Sequence, residues 1–114
     1  MRHLIFHICH RDAWQKAQGQ KNYHPPSIEE EGFIHCSTLE QVVSTANLLF
    51  RGEANLLLLS IDPDKVGPEI KYENTTGGHI LFPHIYGALN LDAVVGSAPF
   101  IANQDGYFEL NFEE

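Results

Sequence analysis

The sequence predicts a single compact α+β domain, covering residues 1–114, with a mainly antiparallel β-sheet and two or three helices. Its length is sufficient for one hydrophobic core and too short for a second core of useful size. Segments with strand and helix periodicity follow one another in the order strand, helix, strand, helix and then several strands. A run of strands after the last helix is typical of α+β proteins.

Seven segments have the composition of extended chain. The most apolar of them, residues 55–62, is too apolar for a half-exposed position, so we expect a central strand there. Pro83 cannot donate to a ladder, which places its segment at a sheet edge or at a bend. Alternation in the last segment, after the turn NQDG, points Phe108, Leu110 and Phe112 inward. The segments are 4–9, 32–37, 55–62, 69–74, 75–90, 93–101 and 107–112.

Two helices are predicted between the early strands. A short one spans residues 11–18, and the following stretch reads as an irregular loop because of its two prolines. Residues 29–31 (EEE) read as a solvated turn. Thr38 and Gln41 form a capping box at the start of the second helix. Its apolar stripe contains Leu39, Val42, Val43, Ala46, Leu49 and Phe50.

Composition and charge restrict the function. The chain has 7 basic and 15 acidic residues, a formal net charge of -8, and no visible basic patch, so a long nucleic acid is not an expected partner. No apolar run approaches the roughly 20 residues that cross a bilayer, and the N-terminal segment does not resemble a signal peptide. Two cysteines make no disulfide framework. We therefore expect a cytoplasmic protein without a membrane partner.

Three of the seven histidines lie inside apolar segments. His7, His35 and His84 are placed where an imidazole without a partner is costly to bury, which suggests one shared polar cleft. Alternatively, each is an interior side chain satisfied by its neighbours. Alternation also puts Phe82, His84 and Tyr86 on one face, which is suited to stacking a flat ring and binding a sugar. The other interpretation is that Tyr86 caps the core with its hydroxyl in solvent.

A metal site is poorly supported by the spacing of ligands. The pairs His7-x-x-His10 and His79-x4-His84 are loose, and the sequence contains neither HExxH nor CxxC. We therefore predict no bound metal. A small metal-dependent enzyme stays open as an alternative that requires three converging ligands.

The motifs GFIHCST (32–38) and GGHILFPHIYGAL (77–89) resemble those of a family of small bacterial proteins known as domain of unknown function 952. The resemblance covers nearly the whole chain. It implies an ADP-ribosyltransferase-like fold with a split sheet, in which a first-strand histidine contacts the ribose of NAD. His7 corresponds to that residue.

The same resemblance implies further site residues. His35 and Ser37 resemble the H-V-H-L-S pattern of RNA 2'-phosphotransferases, and Thr38 follows them as a cofactor-binding residue. The third element usually supplies a glutamate, where this chain has His84 and Tyr86 (cofactor-binding) instead. Glu73 is then the candidate carboxylate for an oxocarbenium-like transition state, and His35 and His84 are the candidate acids or bases.

The expected ligand is a small nucleotide, with NAD as a substrate rather than a permanently bound cofactor. The expected activity is ADP-ribosyl transfer, a related phosphotransferase reaction, or hydrolysis of NAD. A non-catalytic nucleotide-binding module is the alternative, favoured if Glu73 faces away from His7 and His35.

Overall fold

The computed structural model describes residues 3–110, which form an α+β domain with three helices and three small antiparallel sheets. This confirms the predicted fold class. The elements are β1 (Ile5–His10), α1 (Arg11–Gln18), β2 (Asn22–Tyr23), α2 (Ser27–Glu31), β3 (Ile34–His35), α3 (Val42–Leu49), β4 (Leu56–Ile61), β5 (Glu69–Glu73), β6 (Phe82–Tyr86), β7 (Leu89–Asn90) and β8 (Val94–Pro99).

The sheets have the strand orders β1-β4-β8, β3-β6-β5 and β2-β7. The leucine-rich β4 is central in the first sheet, as its composition predicts. An isolated bridge joins the first sheet to the chain just after β3. In it the backbone N–H of Phe6 donates to Ser37 O and the N–H of Ser37 donates to Phe6 O, both at 2.8 Å. This bridge holds the motif that follows β3 against the first strand.

Two apolar clusters form the core on opposite faces of β1 and β4. Alternation along these strands sorts their side chains between the clusters. One cluster includes Ile5, Cys9, Trp14, Tyr23, Ile34, Cys36, Leu57, Leu59, Ile61 and Ile85. The other includes Phe6, Ile8, Val42, Ala46, Leu56, Leu58, Phe100 and Phe108. No helix among residues 3–110 combines the length and the apolar character needed to cross a bilayer.

Pro83 lies in β6, the central strand of its sheet, so the prediction of an edge or bend was wrong. The carbonyl of Pro83 accepts from the N–H of Cys36 at 3.0 Å, on the side of β3. In an antiparallel ladder a residue's N and O point the same way. The N–H group that proline lacks would therefore also point toward Cys36, which lies just past the end of β3 at His35. The regular ladder between β3 and β6 does not need this donor.

The loop before β3 contains two elements that the sequence did not predict. β2 pairs with β7, and residues 29–31 belong to α2 rather than to a solvated turn. Pro26 precedes the first helical residue, where a missing N–H is tolerated. Gly32, at φ 91°, closes the helix by donating to Ile28 O at 2.9 Å.

The second predicted helix begins later than expected. Residues 39–41 form a turn, and α3 starts at Val42. Half of the predicted capping box is present, because the N–H of Thr38 donates to Gln41 Oε1 at 3.0 Å. The stripe prediction was wrong for Leu39 and Leu49, which are exposed. Leu39 lies in the turn before the helix, and Leu49 is its last residue.

The described part of the last predicted strand is not a strand. The turn at 103–106 is present, with Gly106 donating to Asn103 O at 3.0 Å. Beyond it the side chain of Asn47 takes the place of a strand partner. Asn47 accepts from the N–H of Phe108 at 2.7 Å and donates to its carbonyl at 3.2 Å. Phe108 is buried and Leu110 packs against the core as predicted, whereas Phe112 lies outside the described residues.

Candidate functional site

A cleft of about 400 Å³ lies beside the Phe6–Ser37 bridge. Its walls come from β1, the start of α2, the end of β3, residues 45–49 of α3, the loop after β5, and β6. The lining residues are Phe6, His7, Ile8, Ser27, His35, Cys36, Ser37, Thr45, Leu48, Leu49, Phe50, Thr75, Thr76, Phe82 and His84.

A second cavity, of about 440 Å³, lies between α1 and β8. Within residues 3–110, its lining includes Trp14, Gln18 and Leu91 but no ionisable side chain and none of the predicted site residues. It therefore offers no acid–base chemistry, and the histidine-lined cleft is the candidate site.

His84 is buried on the cleft wall and is held by a carboxylate. Its Nδ1 lies 2.9 Å from Glu73 Oε2, and its ring stacks on Phe33 with centroids 4.0 Å apart. The hydroxyl of Tyr86 donates to the same carboxylate oxygen. The hydrogen bonds from Tyr86 and His84 lower the pKa of Glu73, and the bond to Glu73 raises the pKa of Tyr86.

The ionised Glu73 determines which nitrogen of His84 carries the proton. A carboxylate only accepts, so Nδ1–H donates, and in the neutral ring Nε2 keeps its lone pair. No described residue bonds to Nε2, and no buried side-chain N or O atom among the described residues lacks a partner. Nε2 is therefore not sealed from solvent, and the His84 residue lines the cleft. This arrangement can accept a proton from a bound hydroxyl or water.

His35 lies at the mouth of the cleft. Its side chain is 51% exposed, and its Nε2 lies 2.7 Å from Glu31 Oε1. The ring stands edge-on to His84, with centroids 5.3 Å apart. The two imidazoles are close enough to contact one small ligand.

His7 is an interior histidine whose two nitrogens are both used within the protein. Nδ1–H donates to the carbonyl of His35 at 2.6 Å, and Nε2 accepts from the Tyr23 hydroxyl at 2.9 Å. Burial lowers the pKa of His7 to about 4, so the ring is neutral near pH 7. His7 can offer a ligand its ring, but not a nitrogen without breaking one of these bonds. Its cofactor-binding role stays a prediction.

The other predicted residues divide between the cleft and its surroundings. Ser37 is buried on the lining, and its hydroxyl donates to Thr45 Oγ1 at 3.3 Å. Thr38, Glu73 and Tyr86 are not on the lining. The structure thus brings His7, His35, Ser37 and His84 together, and it places Glu73 and Tyr86 behind His84. The roles predicted for these residues stay predictions.

Sequence reasoning missed several residues in or next to the cleft. Phe33 is not on the lining but stacks on His84, and it shares a face with His35 by alternation, a signal that was sufficient to find it. No comparable sequence signal marks Thr45, Leu48 and Thr76. Their position on the cleft lining depends on how α3 and the loop after β5 pack.

We expect no stoichiometric zinc or iron in the purified protein. Within residues 3–110 there is no group of three His, Cys, Asp or Glu side chains that could hold a metal ion. Elemental analysis of protein purified without a metal-affinity step tests this expectation. A content near one metal per chain would contradict it and favour the metal-dependent alternative.

Comparisons with known proteins support the fold. A family model described as "Protein of unknown function (DUF952)" matches residues 8–97. The chain is similar to the crystal structure of protein CC0527 from Caulobacter crescentus, with 36% identity, a TM-score of 0.83 and 93% of each chain covered. The solution NMR structure of the same protein gives 36% identity and a TM-score of 0.80, with 91% of this chain and 90% of that chain covered. No curated protein matches the chain significantly.

Proposed function

The chain belongs to the family described as "Protein of unknown function (DUF952)", and we propose that its histidine-lined cleft binds NAD or another ADP-ribose-type nucleotide. The observation that carries the proposal is the convergence of His7, His35, Ser37 and His84 on one cleft of about 400 Å³. Small-molecule sites typically measure roughly 300–1,000 Å³ and combine apolar walls with a few polar groups. This cleft has both properties.

An ADP-ribosyltransferase-like grouping of the fold is part of the proposal. Two features support it. The antiparallel strands are divided among small sheets joined at the Phe6–Ser37 bridge. In addition, His7 of the first strand and His35 of the second motif face the same cleft, as the resemblance implies.

The proposed chemistry is cleavage of the nicotinamide–ribose bond. A water or acceptor hydroxyl gives its proton to His84 Nε2 while its oxygen bonds to the anomeric carbon, and nicotinamide leaves with the electrons of the broken C–N bond. The Glu73 carboxylate, bonded to Nδ1, stabilises the imidazolium that forms. Glu73 thus acts through His84 in this proposal rather than by touching the sugar.

A non-catalytic nucleotide-binding module is the second candidate. It is favoured by the absence of Glu73 from the cleft lining. Incubation with NAD and chromatographic detection of nicotinamide separates the candidates. Binding with release of nicotinamide, abolished by His84→Gln, supports the enzyme. Binding without release supports the module.

We expect His35→Ala to weaken nucleotide binding by at least about tenfold and to change the free energy of unfolding by less than about 1 kcal/mol. His35 is half exposed, and its contact with Glu31 lies in solvent, where even an ion pair would contribute little to stability. Calorimetric titration with NAD and ADP-ribose, together with thermal melting, measures both quantities.

His10→Ala is the matched control for this experiment. His10 Nε2 makes a similar exposed contact, 2.8 Å from Glu53 Oε1, and is not on the cleft lining. The control variant should bind like the wild type. Unchanged affinity in His35→Ala, or no binding of any nucleotide by the wild type, would contradict the proposed function.

A further inference from the structure

Among residues 3–110, the lining of the cleft carries no permanent positive charge. The described lining residues include no Lys or Arg, and also no Asp or Glu. His7 is neutral near pH 7, and His35 is engaged by Glu31 at the mouth. Proteins that bind a pyrophosphate usually supply Arg or Lys to its oxygens. The lining offers no such partner to the anionic part of a nucleotide.

Two backbone donors of the glycine-containing loop beside the cleft are already in use. Asn74 Oδ1 accepts from the N–H groups of Thr76 and Gly78, each at 2.9 Å. Free N–H groups in such a turn form the concavity that binds phosphate in other proteins. Because the Asn74 side chain already occupies these two donors, a phosphate would have to displace it.

Helix α3 presents its less suitable end to an anion. It contributes three residues to the cleft. Leu48 and Leu49 are its last two residues, and Thr45 lies near its middle. The C-terminal end of a helix carries a partial negative charge. The field of α3 therefore disfavours a phosphate group at this position.

The groups that are present suit an uncharged, hydroxylated ring. The lining combines hydrogen-bonding residues with apolar ones. The hydrogen-bonding residues include Ser27, Thr45, Thr75 and His84, and the apolar residues include Leu48, Leu49, Phe50 and Phe82. Hydroxyls and an imidazole can bind the hydroxyls of a sugar, and apolar side chains can cover a flat base.

Resting on the proposed nucleotide function, we propose that the cleft recognises the nucleoside part of its ligand and leaves the phosphates in solvent. Affinity then comes from the base and the ribose. Phosphate groups add little to it, and the protein selects its ligands by the nucleoside that they carry.

Calorimetric titration of the wild-type protein tests this inference with adenosine, nicotinamide riboside, AMP, ADP-ribose, NAD and inorganic pyrophosphate. We expect the better-bound nucleoside to match the affinity of NAD within about threefold. We expect pyrophosphate not to compete. Raising NaCl from about 50 to about 300 mM should change the affinities less than about twofold, because exposed phosphates make no ion pair that salt can screen.

The outcomes separate this inference from the function on which it rests. If NAD or ADP-ribose binds while both nucleosides bind more than about tenfold more weakly, the inference is overturned and the proposed function stands. Competition by pyrophosphate, or a steep loss of affinity with salt, has the same meaning. If none of the compounds binds, both the proposed function and this inference are overturned.

Discussion

Replacing His7 with alanine is expected to lower the free energy of unfolding by about 3–5 kcal/mol, the sum of a cavity effect and an unsatisfied polar group. The ring is only 9% exposed, and both nitrogens are bonded within the protein. Its removal leaves a cavity beside the core. It also removes the acceptor of the Tyr23 hydroxyl and the donor to the carbonyl of His35.

Urea denaturation of wild type, His7→Ala and His35→Ala measures the contrast directly. The two histidines lie in adjacent parts of one site, yet His35 is half exposed and solvent can replace its partner. We expect a large loss for His7→Ala and a small one for His35→Ala. Equal losses for the two variants would show that burial does not distinguish these imidazoles and that the assignment of His7 to the interior is wrong.

The parts of the fold that the sequence predicted well depend on local periodicity. Alternation in β1 separates Phe6 and Ile8 from Ile5 and Cys9, and the structure places the two pairs in different core clusters. The apolar run of β4 predicted its central position for a similarly local reason.

The parts that failed depend on partners far away in the chain. β2 forms because Asn22 and Tyr23 pair with Asn90 and Leu89. No local sequence pattern predicts this pairing. The expected terminal strand is absent over residues 107–110 because the side chain of Asn47 satisfies Phe108. In both cases a tertiary contact supplies the hydrogen bonds and overrides local preference.

The location of the candidate site was predictable, but the contacts of its side chains were not. Polar residues inside apolar strands indicated that His7, His35 and His84 meet, and all three line the cleft. The contact between Glu73 and His84 depends on the register of β5 and β6, in which Glu73 pairs with Phe82. Glu73 is therefore a diagonal neighbour of His84, and sequence spacing contains no information about this register.

The three histidines occupy three different environments. His7 is an interior, neutral ring, His35 is a solvated ring at the mouth, and His84 is held by an ionised carboxylate. The sequence treats them alike because each is a polar residue in an apolar strand. These environments correspond to different roles in the proposed function. There His7 stabilises the fold, His35 contacts the ligand, and His84 accepts a proton.

Acidification provides an independent test of the interior histidine. Lowering the pH from about 7 to about 5 is expected to reduce the free energy of unfolding by about 2 kcal/mol through His7 alone, because each pKa unit corresponds to about 1.4 kcal/mol. The pKa of His7 is about 4 in the folded protein, against an ordinary value of 6.5. Between these values the unfolded chain binds more protons than the folded one. The contribution is therefore fully present above pH 6.5 and is lost as the pH falls toward 4.

Denaturation of wild type and His7→Gln at several pH values between about 7 and about 5 isolates this effect. The glutamine variant is less stable at neutral pH, but it has no group at this position to titrate, so its stability should depend less on pH by about 2 kcal/mol over the same interval. Glu73, whose pKa is lowered below 4.5, loses its contribution only at more acidic pH and does not mask the effect. Parallel pH curves for the two proteins would mean that the His7 ring is protonated in the fold. A charged ring there would require Nε2 to donate rather than accept, and the hydrogen bond from the Tyr23 hydroxyl would have to be reversed.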